Sequence, residues 1–470
     1  MNSQFSQAAI NALMAGKRQY AEIGMRKPND PAPYLFNEAA IAQQGLVIDR
    51  YSITGNNLEI GTAVAAELTV RFYNTDGVDL TNFDFTDAMM YPRIGVAVDE
   101  WGTKEYASCG AYMVDSVDID GKFLTIKALD RMILFDKNVS VSYADYLTNH
   151  GDITVNNVVY TQGTFGWLLG SIAADCGVSI RDMTTINAVW HNTQITDVIN
   201  MANLTYRAIL QNLMSLAVAV AYMDYGGDLA FSRYYPTDEF QITPAMRFNS
   251  SVDIKSEQSC KGICYTTATG KRVRVPVYLY QRNSSLFLNC TQSVISYVND
   301  DDEAHYTSGL LRYQSTSARV IEYYPMQIEM MPAPFLEPTD FLQYMVNDED
   351  YYLGFATHCT YILNGRTVIS GRELINDDVS ANADYNFQSS QTGQKFAALE
   401  ARVSALEAGG GGGTLIEKTI TANGIYNASD DGADGYSQVN VDVSQPIGQT
   451  VGILSGVTDS VIGTLEEVTE

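Results

Sequence analysis

The side chains best suited to hold a metal are Cys260 and Cys264, together with Cys290 and the adjacent His358 and Cys359. A structural zinc site usually draws on two tight pairs of the C-x2-C kind. Here the only close pair is C-x3-C and the remaining ligands are scattered, so ordinary thiols are expected. Thr269-Gly270-Lys271-Arg272 has the Gly-Lys step of a phosphate loop. It lacks the upstream glycine and the Ser/Thr after lysine that complete the backbone cradle, and reads as a basic turn. Asn427-Ala428-Ser429-Asp430-Asp431-Gly432 resembles the first half of a calcium loop, but position twelve is Gln438. Without a bidentate Glu there, a turn is expected. His150, His191, His305 and His358 show no partner pattern and are expected to be structural. There is no G-x-S-x-G elbow and no H-E-x-x-H. With 55 acids, close carboxylate pairs arise by chance and do not by themselves signal glycoside hydrolysis. No catalytic, cofactor-binding or metal-ligating residue is assigned, and no cofactor is expected.

Composition narrows the class. The 470 residues carry 29 Lys+Arg against 55 Asp+Glu, a net charge of −26. That balance argues against nucleic acid as a stable partner and against anionic membranes. The longest apolar stretch, Ala208 to Met223, is broken by Gln211, Asn212 and Ser215. It reads as a buried helix and not as a membrane span. The N-terminus places its positive charge after its apolar residues, unlike a signal peptide. Six cysteines are too few for a disulfide scaffold, so synthesis in a reducing cytoplasm is expected. Thirty tyrosines favour strands and interfaces.

The elements follow from periodicity. Residues 1–35 read as an N-terminal arm, a short helix on Ala8, Ile10, Leu13 and Met14 followed by a Pro-rich loop. Residues 36–150 read as strands, with a hairpin joining Tyr112–Val117 to Phe123–Ala128 around Asp118–Gly121. Residues 151–235 form a helix-plus-hairpin domain. Phe165, Leu168, Leu169 and Ile172 make one helical stripe, and Ile209, Leu210, Leu213, Leu216 and Ala217 another. Thr205 marks the start of the second helix. Residues 236–385 return to strands, with acidic loop tips at Asp300–Glu303 and Asp348–Asp350.

Downstream the pattern changes. Phe396, Leu399, Val403 and Leu406 are spaced 3, 4, 3, an a/d seam within a short coiled coil at 386–408. Two heptads are too short to associate unaided, so the seam needs chains already brought together upstream. Gly409, Gly410, Gly411, Gly412 and Gly413 form a flexible linker. A small β module at 414–443 and an acidic C-terminal tail at 444–470 complete the chain.

Four segments carry a family resemblance. They are Leu58–Val70, Gly110–Met132 with its Asp130-Arg131-Met132, Thr205–Leu229, and Thr419–Val441. In this order they resemble the tail hub, or tail-associated baseplate hub, proteins of tailed bacteriophages and prophages. The resemblance implies a mainly β fold with α insertions. Two β-barrel-like hub domains would flank the helix-hairpin domain, and the coiled coil and small β module would follow. It also implies a structural, non-enzymatic virion protein at the distal tail or baseplate. Three copies would form a ring joining the tail tube to tip or receptor-binding proteins, with passage of DNA through an acidic lumen. Many relatives continue into a peptidase, lysin or fibre domain, and this sequence ends soon after the β module. The alternatives are a trimeric carbohydrate-binding adhesin and a tail-associated wall hydrolase. The seam alone does not distinguish a dimer from a trimer.

Overall fold

In the computed structural model the described residues are 4–27, 34–54, 58, 60–74, 85–186, 188–234, 240–253, 258–266, 272–276, 286–289, 294–297, 322–371, 418–427, 434–443, 451–455 and 464–468. The chain divides into two compact units, Met1–Val379 and Ser380–Glu470.

The first unit is built on one antiparallel sheet of twelve strands. Eight come from the N-terminal part: β1 (Gln19–Arg26), β2 (Tyr34–Asn37), β3 (Ile41–Tyr51), β4 (Glu67–Tyr73), β5 (Met89–Ala97), β6 (Lys104–Ser108), β7 (Tyr112–Asp120) and β8 (Phe123–Asp130). Four come from later: β9 (Arg247–Val252), β10 (Met326–Met330), β11 (His358–Ile362) and β12 (Thr367–Gly371). Their order is β9-β10-β12-β11-β3-β4-β8-β7-β5-β1-β2, with β6 also on β5. The strands alternate as half-buried strands should. Leu68, Val70 and Phe72 of β4 point into the core beside Leu124, Ile126 and Ala128 of β8. Each such large side chain stabilises the fold by about 1.5–3 kcal/mol.

Among the described residues the two β-rich stretches share one large sheet, and no closed barrel is formed. β11 pairs with β3, from His358 opposite Tyr51 to Ile362 opposite Val47, and so joins both stretches in one sheet. Alternation tells which face of a strand is buried, not which strand lies beside it, so the sequence pattern is equally consistent with either arrangement. The sheet curls until Gln19, at the start of β1, accepts from the Tyr361 hydroxyl at 2.5 Å and donates its N–H to Asn364 at 2.9 Å. Among the described residues β2 and β9 are not paired with each other, so the sheet is not a closed barrel.

Residues 1–35 also differ from the expected arm. Helix α1 (Gln7–Met14) buries Ala9, Ile10, Ala12 and Leu13 in the core of the sheet, and β1 lies within the sheet. Ser6 caps α1 by accepting from Ala9 N–H, and its own N–H and hydroxyl bond Glu105 on β6 at 2.6 Å each. The apolar stripe therefore covers this chain's own sheet.

The middle domain has its own core. Its helices are α2 (Tyr143–Asn149), α3 (Phe165–Asp175), α4 (Ala188–His191) and α5 (Tyr206–Ala217). Thr164 and Thr205 cap α3 and α5 by accepting from Trp167 N–H and Ala208 N–H. Trp167, Leu168, Leu169 and Ile172 pack with Ile209, Leu210 and Leu213. The stretch read as one helix from Ala208 to Met223 is α5, then Val218 in left-handed conformation, then the strand Val220–Met223. That strand pairs with Leu229–Ser232.

The second unit shows two antiparallel hairpins, Lys418–Asn427 with Asp434–Val443 and Val451–Ser455 with Thr464–Val468. The expected seam (Phe396, Leu399, Val403, Leu406) and linker (Gly409–Gly413) lie outside the described residues, as do Asp300–Glu303 and His305.

Candidate functional site

Three clusters put catalytic residue types within bonding distance. On β3 and β11, His358 Nε2 lies 3.2 Å from Asp49 Oδ1 and 3.1 Å from Thr360 Oγ1, and Tyr51 stacks on the ring at 4.3 Å. A nucleophile–His–Asp relay needs the carboxylate and the hydroxyl on opposite ring nitrogens. Here both meet Nε2, and Thr360 donates directly to Asp49. The second cluster joins His150 Nε2 to Asp175 at 3.1 Å. The Tyr146 and Tyr206 hydroxyls also donate to Asp175, at 2.6 and 3.1 Å, while His150 Nδ1 faces the Tyr146 carbonyl at 3.0 Å. This ties α2, α3 and α5 together and leaves no nucleophile in the relay. His191 is half-buried, its Nε2 3.1 Å from the Met183 carbonyl.

The third is a carboxyl pair, Glu337 and Asp340. Glu337 is 6% exposed, and its N–H donates to Asp340 at 2.9 Å. The Tyr222 hydroxyl reaches the Glu337 carboxyl at 3.3 Å. Burial pushes Glu337 up to about 8, Asp340 raises it further and Arg50 holds it back; burial also raises Asp340, against the Glu337 N–H and Arg50. Such depth suits a joint between packed elements and not a cleft for a sugar. Cys109, Cys176 and Cys359 are buried free thiols, raised by desolvation and so poor nucleophiles or ligands. Among the described residues no group of His, Cys, Asp or Glu is arranged to hold a metal ion, and no helix is long and apolar enough to cross a membrane.

What the fold does assemble is a joint. Three of the motif segments, far apart in sequence, meet where the sheet carries the middle domain. Gly61 N–H donates to the Ala219 carbonyl at 2.8 Å, and Ala221 N–H donates to the Thr62 carbonyl at 2.9 Å. Asp130 is 3% exposed and accepts from Ala66 N–H and Met132 N–H, each at 2.9 Å. It thereby ends β8, caps the 3-10 turn Arg131–Asp136 and holds the approach to β4. Burial raises its carboxyl to about 7 against the pull of those two N–H groups. Arg131 donates to the carbonyls of Gly227 at 3.0 Å and Gly177 at 2.5 Å. Gly227 has φ +81°, and a Cβ there would lie 2.8 Å from the Ala111 methyl. Gly110 has φ +120° with the Tyr112 ring against it, where a Cβ would lie 2.8 Å from the ring. The motif glycines are thus backbone positions where a side chain has no room.

Arg50 completes the joint and was not singled out by the sequence. Lying on β3 and 9% exposed, it donates to the carbonyls of Cys109 (2.9 Å), Pro334 (3.2 Å) and Leu336 (3.4 Å) and stacks 4.4 Å over Tyr225. It binds the β6–β7 turn, the 333–340 loop and the middle-domain hairpin at once. Thr339 in that loop has φ +86°, an unusual conformation for a β-branched residue, and donates to Ser232 at 2.6 Å. An arginine within an alternating strand is a weak signal, since it reads as outward-facing.

The outer surface offers apolar positions for contact. Trp101, in the β5–β6 turn, is 92% exposed. Leu35 on β2 and Phe248 on β9 are 66% and 51% exposed. Both strands are outermost in the sheet.

No family model matches the sequence, and no curated protein matches it. Solved structures do match. The 43 kDa tail protein of prophage MuSo2 from Shewanella oneidensis is 12% identical over 76% of this chain and 98% of that one, with a TM-score of 0.41. The prophage tail protein gp18 from Listeria monocytogenes EGD-e is 9% identical over 78% and 99%, with a TM-score of 0.43. An E. coli component of the type VI secretion system, described as structurally similar to the T4 bacteriophage tail proteins gp27 and gp5, is 8% identical over 75% and 76%, with a TM-score of 0.32.

Proposed function

We propose that this chain is a structural, non-enzymatic subunit of a phage tail hub. Three copies form a ring at the distal end of the tail tube and join it to tip or receptor-binding components. The observation that carries this reading is the convergence of the hub-like segments. Leu58–Val70, Gly110–Met132 and Thr205–Leu229 are the stretches that resemble tail hubs, and their motif residues meet at one buried joint. Sequence resemblance spread over unrelated surface sites would have no such reason to converge. The chemistry of the joint fits a scaffold: it fixes the angle between a curled sheet and a helical domain. The net charge of −26 suits a lumen through which DNA passes without adhering, because like charges repel phosphate.

The test is location. Antibody against the purified protein, applied to phage or prophage particles and viewed by negative-stain electron microscopy, should label the distal tail tip. Label along the tube, on the head or absent from particles contradicts the proposal.

A further inference from the structure

The core of the middle domain is closed by a strand drawn from the second β-rich stretch. Ile295–Tyr297 pairs antiparallel with Ile195–Val198, setting Tyr297 opposite Ile195, Ser296 opposite Asp197 and Ile295 opposite Val198. Ile295 is 0% exposed and belongs to the core that holds Trp167, Leu213 and Leu216. Just before the strand, Val294 N–H donates to Asn212 Oδ1 at 2.9 Å, and the Val294 carbonyl accepts from Ile199 N–H at 2.9 Å. Asn212 and Val294 are 82 positions apart.

The receiving side is built without this strand. Ile195 is held from behind: its N–H donates to the Gly163 carbonyl at 2.8 Å, and its carbonyl accepts from the Tyr143 hydroxyl at 3.1 Å. Asn212 is 7% exposed and is oriented by its own helix, since its Nδ2 donates to the Ala208 carbonyl at 2.7 Å. That bond leaves Oδ1 to meet an incoming N–H. Among the described residues, Ile195–Val198 forms its two-stranded sheet with Ile295–Tyr297 alone. The strand brings one fully buried side chain, a short ladder interrupted by a register shift, and the two bonds of Val294. A fixed edge, a polar group that reads the arriving backbone and an apolar socket are the parts that strand addition uses. Main-chain bonds supply the affinity and the socket selects the side chain. An edge already in place loses little freedom on binding.

We propose that Asn212 and the Ile195–Val198 edge form an acceptor site for an extended peptide strand, occupied here by the chain's own Val294 and Ile295–Tyr297, which dock and leave as one unit. The site selects a strand with an apolar residue one position after the N–H that Asn212 reads. When the strand leaves, the Asn212 oxygen and the Ile199 N–H both lose their partner, so the filled site is favoured. The docked strand fastens the second β-rich stretch to the middle domain at a point apart from the Arg50 joint. This inference goes beyond the hub reading and does not depend on ring formation.

The test uses the full-length protein carrying Ile295→Asp, which expels its own strand because that core does not accommodate an unpaired carboxylate. A labelled synthetic peptide with the sequence of residues 291–299 should bind this variant saturably, read by fluorescence anisotropy. The wild type should bind it roughly tenfold or more weakly, because its own tethered strand competes. Adding Asn212→Leu to Ile295→Asp should weaken peptide binding roughly tenfold. No saturable binding to Ile295→Asp overturns the proposal. Equal binding to the wild type, or undiminished binding after Asn212→Leu, overturns it as well. Should circular dichroism show Ile295→Asp unfolded, hydrogen exchange on the wild type decides. The Ile199 N–H should exchange roughly tenfold or more faster than the amides of α5, through opening of the strand alone. Exchange of Ile199 in step with Leu213 would show that the strand opens only with the whole domain, and would overturn the proposal. Absence of the protein from tail tips would remove the hub reading and leave this site standing.

Discussion

Gly227 meets two constraints at once. Its φ of +81° is unfavourable for an L-residue, and the Ala111 methyl occupies the place of a Cβ. Gly227→Ala should therefore destabilise the protein by about 1–3 kcal/mol, read as a lower urea midpoint with unchanged slope. Glu337 gives a pH signature. Burial above all, then Asp340, holds its carboxyl up to about 8, above the ordinary 4.5, against Arg50 and Arg181. A carboxyl raised in this way stabilises the fold fully below about pH 4.5, and that contribution is lost as pH rises through about 8. Glu337→Gln stays neutral throughout. The thermal midpoint of the wild type should fall more between ~pH 5 and ~pH 9 than that of the variant. Parallel midpoints across that range would refute this account. The clusters at His358 and His150 were not visible in the sequence, because their members lie on different elements; Glu337 and Asp340 share one loop, but nothing local shows that the loop is buried against Tyr222. Asp49 and His358 are 309 positions apart and meet only because β3 pairs with β11.

At the scale of elements, much was legible where local pattern decides. The stripes through Phe165–Ile172 and Ile209–Ala217 are α3 and α5, with the threonine expected at the start of α5 acting as its cap. The Tyr112–Ala128 hairpin is β7 and β8, its turn tightened to Gly121-Lys122 by Asp120 pairing with Phe123. Partner choice was not legible. β2 was hidden in a Pro-rich stretch because four residues are too few to show alternation. The arm became α1 and β1 because its apolar residues find their cover within the chain. The middle domain hangs on Arg131, whose guanidinium fixes two carbonyls of that domain. Arg131→Met should leave both without their charged donor and cost about 1–3 kcal/mol. Hydrogen exchange should quicken in Val220–Met223 and Leu229–Ser232 while β4 and β8 keep their protection. Equal quickening in the sheet would show that the joint is not separable from it.

For the whole molecule, assembly is the question on which function turns. The seam expected at Phe396, Leu399, Val403 and Leu406 falls after Val379, and two heptads would hold poorly alone. The twelve-stranded sheet lies in the first unit. A chain ending at Asn386 should therefore keep its oligomeric state, seen as an unchanged number of copies by sedimentation velocity. Collapse of the truncated chain to single copies would move assembly into the coil. A ring-forming scaffold is tested by the mass of the full-length protein, measured by light scattering across a concentration series. The account predicts a species of three times 51.7 kDa. A mass of 51.7 kDa at every concentration would contradict it.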